Sequence, residues 1–278
     1  MNNTQLGYYL AGLIEGDGSI WTPKLPVYSD EYICNSRIAI TFHKRERPFF
    51  EHLISVFDAG GIYQPKQGNT CNYSIAKTDK LIEIINLING KFRTPKIMCL
   101  HKAIDHINLK HGLNIPKLSL DNTSIISNPW LSGFTDADGS FFIYLGGRYA
   151  IKDCAGKTRV RCIFSIKQRL IDKLSGDSCL PVMTDIANIF QSVIHYSGEN
   201  AIDFKVQATS KHSLTKDYFD KYPLMTSKRL NYLSYSEGLN YLGRSLTNEE
   251  IIEIQTIKNS MNNNRSCYDW DHLNHFYK

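Results

Sequence analysis

Four things are missing from this chain. Its seven cysteines are scattered, odd in number and never spaced as C-x-x-C. That argues against a disulfide framework and a zinc site, and for a reducing compartment. Cys99 and Cys162 read as core residues rather than nucleophiles. No stretch of eighteen apolar residues occurs, so no membrane-spanning helix is expected. No signal or transit peptide is expected either, because Met1-Asn2-Asn3-Thr4-Gln5 leads straight into an apolar helix. Charge of one sign is scarce as well. A net charge of +5 is a mild basic excess that suits nucleic acid without demanding it. With 278 residues, 42% of them hydrophobic, the chain can build one large domain or two modest ones. It is rich in Ile, Asn, Lys and Tyr, whose codons are AT-rich, which favours an organellar origin weakly.

What is present is a pattern written twice. Leu10-Ala11-Gly12-Leu13-Ile14-Glu15-Gly16-Asp17-Gly18-Ser19 is matched by Leu131-Ser132-Gly133-Phe134-Thr135-Asp136-Ala137-Asp138-Gly139-Ser140. The duplication implies two similar half-domains. Each copy opens as an apolar helix, with Gly12 and Gly16, or Gly133 and Ala137, four residues apart on one face. Small residues at that spacing let two helix backbones approach, and the natural partner of each helix is the other copy. Gly18 and Gly139 are expected to stop the helices, and strand-like runs follow them.

Asp17 and Asp138 therefore come to the C-terminal ends of paired helices. The helix dipole is negative there and the two carboxylates repel. A divalent cation with oxygen ligands, such as Mg²⁺, resolves both problems. A calcium loop does not fit, since Gly147 or Pro26 stands where the twelfth-position Glu belongs. Glu15 and Asp136, two residues earlier, are rival acids, assigned mainly to helix-end structure.

The rest of the chain reads as two repeats of an α+β unit. In the first, strands are expected at Arg37–Phe42, Ile62-Tyr63 and Cys71–Ala76, with helices from Pro48, over Leu81–Ile88 and from Pro95 to about His111. In the second, strands are expected at Arg159–Ile166, Gln191–Tyr196 and Ala201–Ala208, with helices at Pro181–Phe190, Ser213–Tyr222 and Ser227–Leu242. Residues 1–115 form one half, 116–128 a linker, and 129–278 the other half with a helical extension that opens on a Thr247/Glu250 capping box. Where the partner is nucleic acid, as the basic excess allows, polar and basic residues at alternate strand positions are its candidate contacts, because a two-stranded ribbon fits the major groove. These are Lys24, Arg37, Lys66, Gln67, Asn72 and Ser74 in the first half, and Lys152, Lys157, Arg159, Arg161, Lys205 and Gln207 in the second.

Both motifs, together with Ile115 to Phe142 and Tyr218 to Leu242, resemble the LAGLIDADG homing endonucleases, especially those encoded in fungal mitochondrial introns. The resemblance implies a monomer of two pseudo-symmetric αββαββα halves, its two antiparallel sheets forming a saddle over DNA. It implies a site-specific, divalent-metal-dependent double-strand endonuclease that leaves short 3′ overhangs and starts intron homing. Mg²⁺, two or three ions, would be the cofactor, with Ca²⁺ supporting binding without cleavage. Asp17 and Asp138 would hold metal, helped by the carbonyls just before them, Gly16 and Ala137. His43 and Gln168 map to the family's active-site strand position, through Ile40-Thr41-Phe42-His43 set against Ser165-Ile166-Lys167-Gln168. Lys228, and more weakly Lys96, map to the basic residue beside the phosphates. The target would be a long duplex site, pseudo-palindromic or asymmetric, and the location a mitochondrion. The alternative is a maturase that binds its own intron RNA.

Overall fold

The computed structural model describes residues 1–23, 35–146 and 159–276. Lys24, Lys152 and Lys157 lie outside these residues. Helix α1 (Asn3–Asp17) runs directly into strand β1 (Gly18–Trp21), followed by β2 (Arg37–His43), α2 (Arg47–Phe57), β3 (Gly61–Tyr63), β4 (Thr70–Ile75), α3 (Thr78–Ile88) and α4 (Ile97–His111). The second half repeats this order: α5 (Trp130–Asp138), β5 (Gly139–Gly146), β6 (Arg159–Arg169), α6 (Leu180–Ile189), β7 (Ile194–Tyr196), β8 (Ala201–Val206), α7 (His212–Lys221) and α8 (Lys228–Gly238). Helix α9 (Asn248–Asn259) is additional and starts on the capping box of Thr247 and Glu250. The two antiparallel sheets have the same topology, β1-β2-β4-β3 and β5-β6-β8-β7. The fold is α+β in two similar halves.

Alternation along the strands explains where the core sits. Ile38, Ile40 and Phe42 on β2, and Val160, Cys162, Phe164 and Ile166 on β6, point inward under the helices. The intervening residues form an open face on each sheet. Several expected bounds shift, among them the end of β6, which runs on to Arg169, and those of β7 and α8. Strand β7 begins only at Ile194, because Gln191 takes a left-handed backbone (φ 50°). Helix α8 ends at Gly238 and tightens into a 3-10 turn at Leu239–Tyr241.

The two motif helices touch backbone to backbone. A Cβ on Gly12 would lie 2.0 Å from the Trp130 carbonyl oxygen, and one on Gly133 would lie 1.9 Å from that of Tyr9. Only glycine fits at this crossing. Gly18 and Gly139 do cap the helices, but not as left-handed stops. Both are extended (φ −82° and −77°) and belong to the strands. Their Cβ atoms would fall 2.7 Å from the Ile14 oxygen and 2.9 Å from the Thr135 oxygen. Glycine is needed there because each strand folds back over the last turn of its own helix.

The segment between the halves is anchored. Arg93 pairs with Asp121 in a buried contact, and Tyr218 and Tyr222 donate to the carbonyls of Asn128 (2.9 Å) and Ser127 (2.7 Å). Beyond α9 the chain returns to the first half. Phe276 packs edge-on against Tyr9 and Phe49, and its carbonyl accepts from the Met1 amine at 3.0 Å.

Candidate active site

Each motif helix is locked to a later helix of its own half by a reciprocal pair of contacts. At the end of α1, the buried Glu15 carboxylate accepts from the backbone N–H of Arg93 (2.8 Å) and Thr94 (2.5 Å) and from Trp130 Nε1 (2.6 Å). In return, Lys96 at the start of α4 donates to the carbonyls of Ile14 (3.0 Å), Gly16 (3.1 Å) and Gly18 (2.8 Å). The second half copies the device. Asp136 accepts from Tyr9 Oη (2.7 Å), Met225 N (2.7 Å) and Thr226 Oγ1 (2.5 Å). Lys228 donates to the carbonyls of Thr135 and Ala137, both at 2.9 Å. An acid thus serves exposed N–H groups of one helix start, and an ammonium serves the orphan carbonyls of one helix end. Glu15 and Asp136 are fully engaged in this structural work. Lys96 proves as deeply engaged as Lys228.

Asp17 and Asp138 take no part in these locks and face two cavities. One, of about 440 Å³, is lined by Gly16, Lys96, Asp138, Gln168 and Asp172. The other, of about 210 Å³, is lined by Ala137, Lys228, Asp17, His43 and Glu46. Each takes its carbonyl and lysine from one half and its acid from the other. The resemblance pairs each acid with the carbonyl before it; the structure regroups them, Asp138 with Gly16 and Asp17 with Ala137. The cause is the close helix crossing, which brings Asp138 Oδ2 within 2.8 Å of where a Gly16 Cβ would stand.

Strand register corrects the equivalence drawn for His43. Gly18 pairs with Ile40 and Gly139 with Ile166, so Ile40 corresponds to Ile166. Gln168 then corresponds to Phe42, and His43 to Arg169. Gln168 donates from Nε2 to Asp138 Oδ2. Phe42 is buried and stacks on Phe50 at 3.9 Å. His43 still lines the Asp17 cavity, but its Nδ1 accepts from Arg45 N at 3.2 Å, capping a short turn. The same count equates Glu46 with Asp172, two acids absent from the sequence expectation. Matching the Ile-x-x-x-x-x-acid spacing after Ile40 and Ile166 would have found them. Glu46 accepts from the Ser227 backbone N–H (2.8 Å) and hydroxyl, joining the first half to the start of α8. Pro95 occupies the matching place just before α4 and has no N–H. Asp172 instead accepts from the N–H groups of Leu174 and Ser175.

The electrostatics suit cation capture. Burial and the charge of Asp138 push Asp17 up to about 6, against the pull of Lys228 and Lys96. Burial likewise raises Asp138, with Lys228, the Gln168 hydrogen bond and Lys96 opposing. Burial lowers Lys96 and Lys228, though the surrounding acids oppose it. Among the described residues no three His, Cys, Asp or Glu side chains gather as a ligand set. Beside Cys179 in one cavity and His43 in the other, each cavity offers a carboxylate, a backbone carbonyl that also accepts from a lysine, and space for water, a donor set dominated by oxygen. That fits a hard ion such as Mg²⁺ and not a soft one.

The open faces of the sheets carry Arg37, Asn72 and Ser74 on one side, and Arg159, Arg161 and Lys205 on the other. Lys66 and Gln67 are exposed but lie in the β3–β4 connection, not on a strand, and Gln207 lies one residue past β8. The sequence expectation omits Thr41, Lys167, Arg169 and Asp203 on these faces, and the exposed aromatics Trp21, Tyr63, Tyr144 and Tyr196. Strand alternation counted from Ile40 and Ile166 is the signal that would have revealed them.

A profile of the LAGLIDADG endonuclease family matches residues 10–106 and 131–239. The chain is 27% identical over 317 positions to the intron-encoded DNA endonuclease aI3 of Saccharomyces cerevisiae, covering 100% of this chain and 74% of that one. It is 27% identical to the probable intron-encoded endonuclease 4 of Neurospora crassa, over 92% of this chain but 44% of that protein. A shorter similarity, 28% over 54% of this chain and 21% of the other, links it to the intron-encoded RNA maturase bI4 of S. cerevisiae. The crystal structure of the I-LtrWI LAGLIDADG homing endonuclease bound to target DNA shares its fold, with a TM-score of 0.71 at 20% identity over 95% of this chain and 100% of that one. I-SmaMI, bound to uncleaved DNA in the presence of calcium ions, does so with a TM-score of 0.67 at 20% identity, over 94% and 99% of the two chains.

Proposed function

The chain belongs to the LAGLIDADG endonuclease family, and we propose that it makes a site-specific double-strand break in DNA, acting as a monomer with one cavity per strand. The observation that carries this reading is the pair of cross-built cavities at the α1–α5 crossing. Two scissile phosphates on opposite strands need two acid–lysine sets held at a fixed separation, and the crossing provides that.

Asp138 with the Gly16 carbonyl, and Asp17 with the Ala137 carbonyl, would hold divalent ions, Mg²⁺ in the working enzyme. A bound ion lowers the pKa of its water and neutralises charge on the phosphate and leaving oxygen. The chain's own residues set the geometry. Gln168 holds the Asp138 carboxylate through one of its oxygens. Lys96 and Lys228 bring an ammonium to each cavity, where it offsets charge on the pentavalent phosphorus. Both are tethered by helix carbonyls, so their position costs little reorganisation. Basic residues on the open faces would hold the backbone, and polar ones would read bases. An organellar, mitochondrial origin accords with the intron-encoded relatives.

The test is cleavage selection on a randomised duplex library with Mg²⁺, with both cut ends sequenced. A single enriched long site broken on both strands is the expected result. Folded protein that cuts nothing would overturn the reading and make intron RNA the next ligand to try.

A further inference from the structure

The open faces carry two oxygen atoms that the fold leaves without a partner. Asp203 on β8 is 7% exposed, and its Oδ1 is buried with no hydrogen bond. Its other oxygen lies 3.0 Å from Lys205 Nζ. In the first half, Asn72 Oδ1 on β4 is also buried and unpartnered. The two are the same position. Thr41 pairs with Asn72 and Tyr63 with Asn72, while Lys167 pairs with Asp203 and His195 with Asp203. Since Ile40 corresponds to Ile166, Thr41 corresponds to Lys167 and Asn72 to Asp203. The flanking residues Ile202 and Phe204, like Cys71 and Tyr73, point into the core. Both polar side chains therefore stand on the face away from it.

A carboxylate on a DNA-binding face is unfavourable beside phosphates. It gains only where it meets a hydrogen-bond donor, and an unmatched buried acceptor costs free energy on every encounter. In the major groove the donors are the exocyclic amines, N4 of cytosine and N6 of adenine. A carboxylate accepts only, which suits cytosine. An amide accepts and donates, which suits the N6 and N7 pair of adenine. Resting on the endonuclease reading, we infer that Asp203 and Asn72 are matched specificity residues, one per half-site, with Asp203 selecting cytosine and Asn72 selecting adenine. Lys167 and Lys205 flank the carboxylate and keep that row of the face positive. Identical sheet register in the two halves puts the two chosen bases at equal distances from the centre of the cut.

The test uses the near-isosteric exchanges Asp203→Asn and Asn72→Asp, with melting curves to verify folding. Wild type and variants cut, with Mg²⁺, a library varied at each position of the wild-type site. Asp203→Asn should move one position from cytosine towards adenine by about tenfold, and Asn72→Asp should move one position of the opposite half-site from adenine towards cytosine by a similar factor. The two positions should be equidistant from the centre. If wild type selects a site but the variants change no single preference, or weaken all positions alike, the inference fails and the endonuclease reading stands. If wild type selects no site, both fail.

Discussion

The two cavities share a frame and differ in what fills it. Around Asp138 the strand supplies Gln168, which holds the carboxylate, and the nearby Asp172 is tied into its own turn. Around Asp17 the same strand position is Phe42, buried under α2, and Glu46 is spent on the start of α8. The helix-end lysine, the opposing carbonyl and the rival acid are alike in both. Selection on a duplicated fold thus separates into parts. At Gly12 and Gly133 the crossing tolerates no divergence, because an added atom strikes backbone, whereas the helix locks keep their form with Glu15 exchanged for Asp136. The strand position beside the acid can become core in one half and polar in the other.

The comparison breaks most completely at the acids. Asp17→Asn or Asp138→Asn should slow the break on one strand by roughly a thousandfold, the upper range for losing an electrostatic contributor, with DNA affinity largely retained. Strand-resolved gels with labelled ends would show nicked product, and undiminished double-strand cutting by both variants would sink the assignment. Next in size is a test of the cross-built grouping. Lys96→Met should slow the strand that Asp138→Asn slows, and Lys228→Met the strand that Asp17→Asn slows, each by about a hundredfold. Pairing of each lysine with the acid of its own half would show the opposite pattern.

Smaller still is Gln168→Ala, expected to cost about tenfold, the low end for a positioning contact beside a metal ligand, and on the Asp138 strand alone. Its loss also removes a hydrogen bond that lowers the Asp138 pKa, so the acid limb for that strand should move to higher pH. An equal effect on both strands would contradict the asymmetry. The smallest effect is on stability. Burial takes Asp17 from its ordinary 3.8 up to about 6 and Glu15 from 4.5 up to about 7. Between those values the folded chain holds protons that the unfolded chain releases. Metal-free stability should therefore fall as pH rises through the window from about 4 to about 7. Asp17→Asn should flatten that slope in urea melts, and added Mg²⁺ should stabilise more at high pH, since its ligands must be ionised. A slope unchanged in the variant would place the proton elsewhere.

How much of this was legible in the sequence follows the range of each interaction. The glycines four apart predicted the helix crossing, and the alternating strands predicted both sheets, because these are periodic and local. Glu15 and Asp136 as structural acids, and Asp17 and Asp138 as the ones that face the cavities, followed from position on the helix. The cross-half grouping was not legible, since it depends on how two helix ends dock. The His43 equivalence failed by one residue. Strands have a period of two, so a single slip exchanges core and open faces and makes a capping histidine the counterpart of a glutamine. Asn72 was already among the candidate DNA contacts, but Asp203, and the equivalence of the two, emerged only once the register was known.

The helix crossing also governs when this molecule becomes dangerous to DNA. A nascent chain that has folded only its first half holds Asp17, but neither Ala137 nor Lys228 exists beside it. It holds Lys96 and the Gly16 carbonyl, but without the acid they serve. Neither half alone holds a complete acid–carbonyl–lysine set of the proposed kind. On the proposed reading, both acid–carbonyl–lysine sets are completed together, when α5 seats on α1.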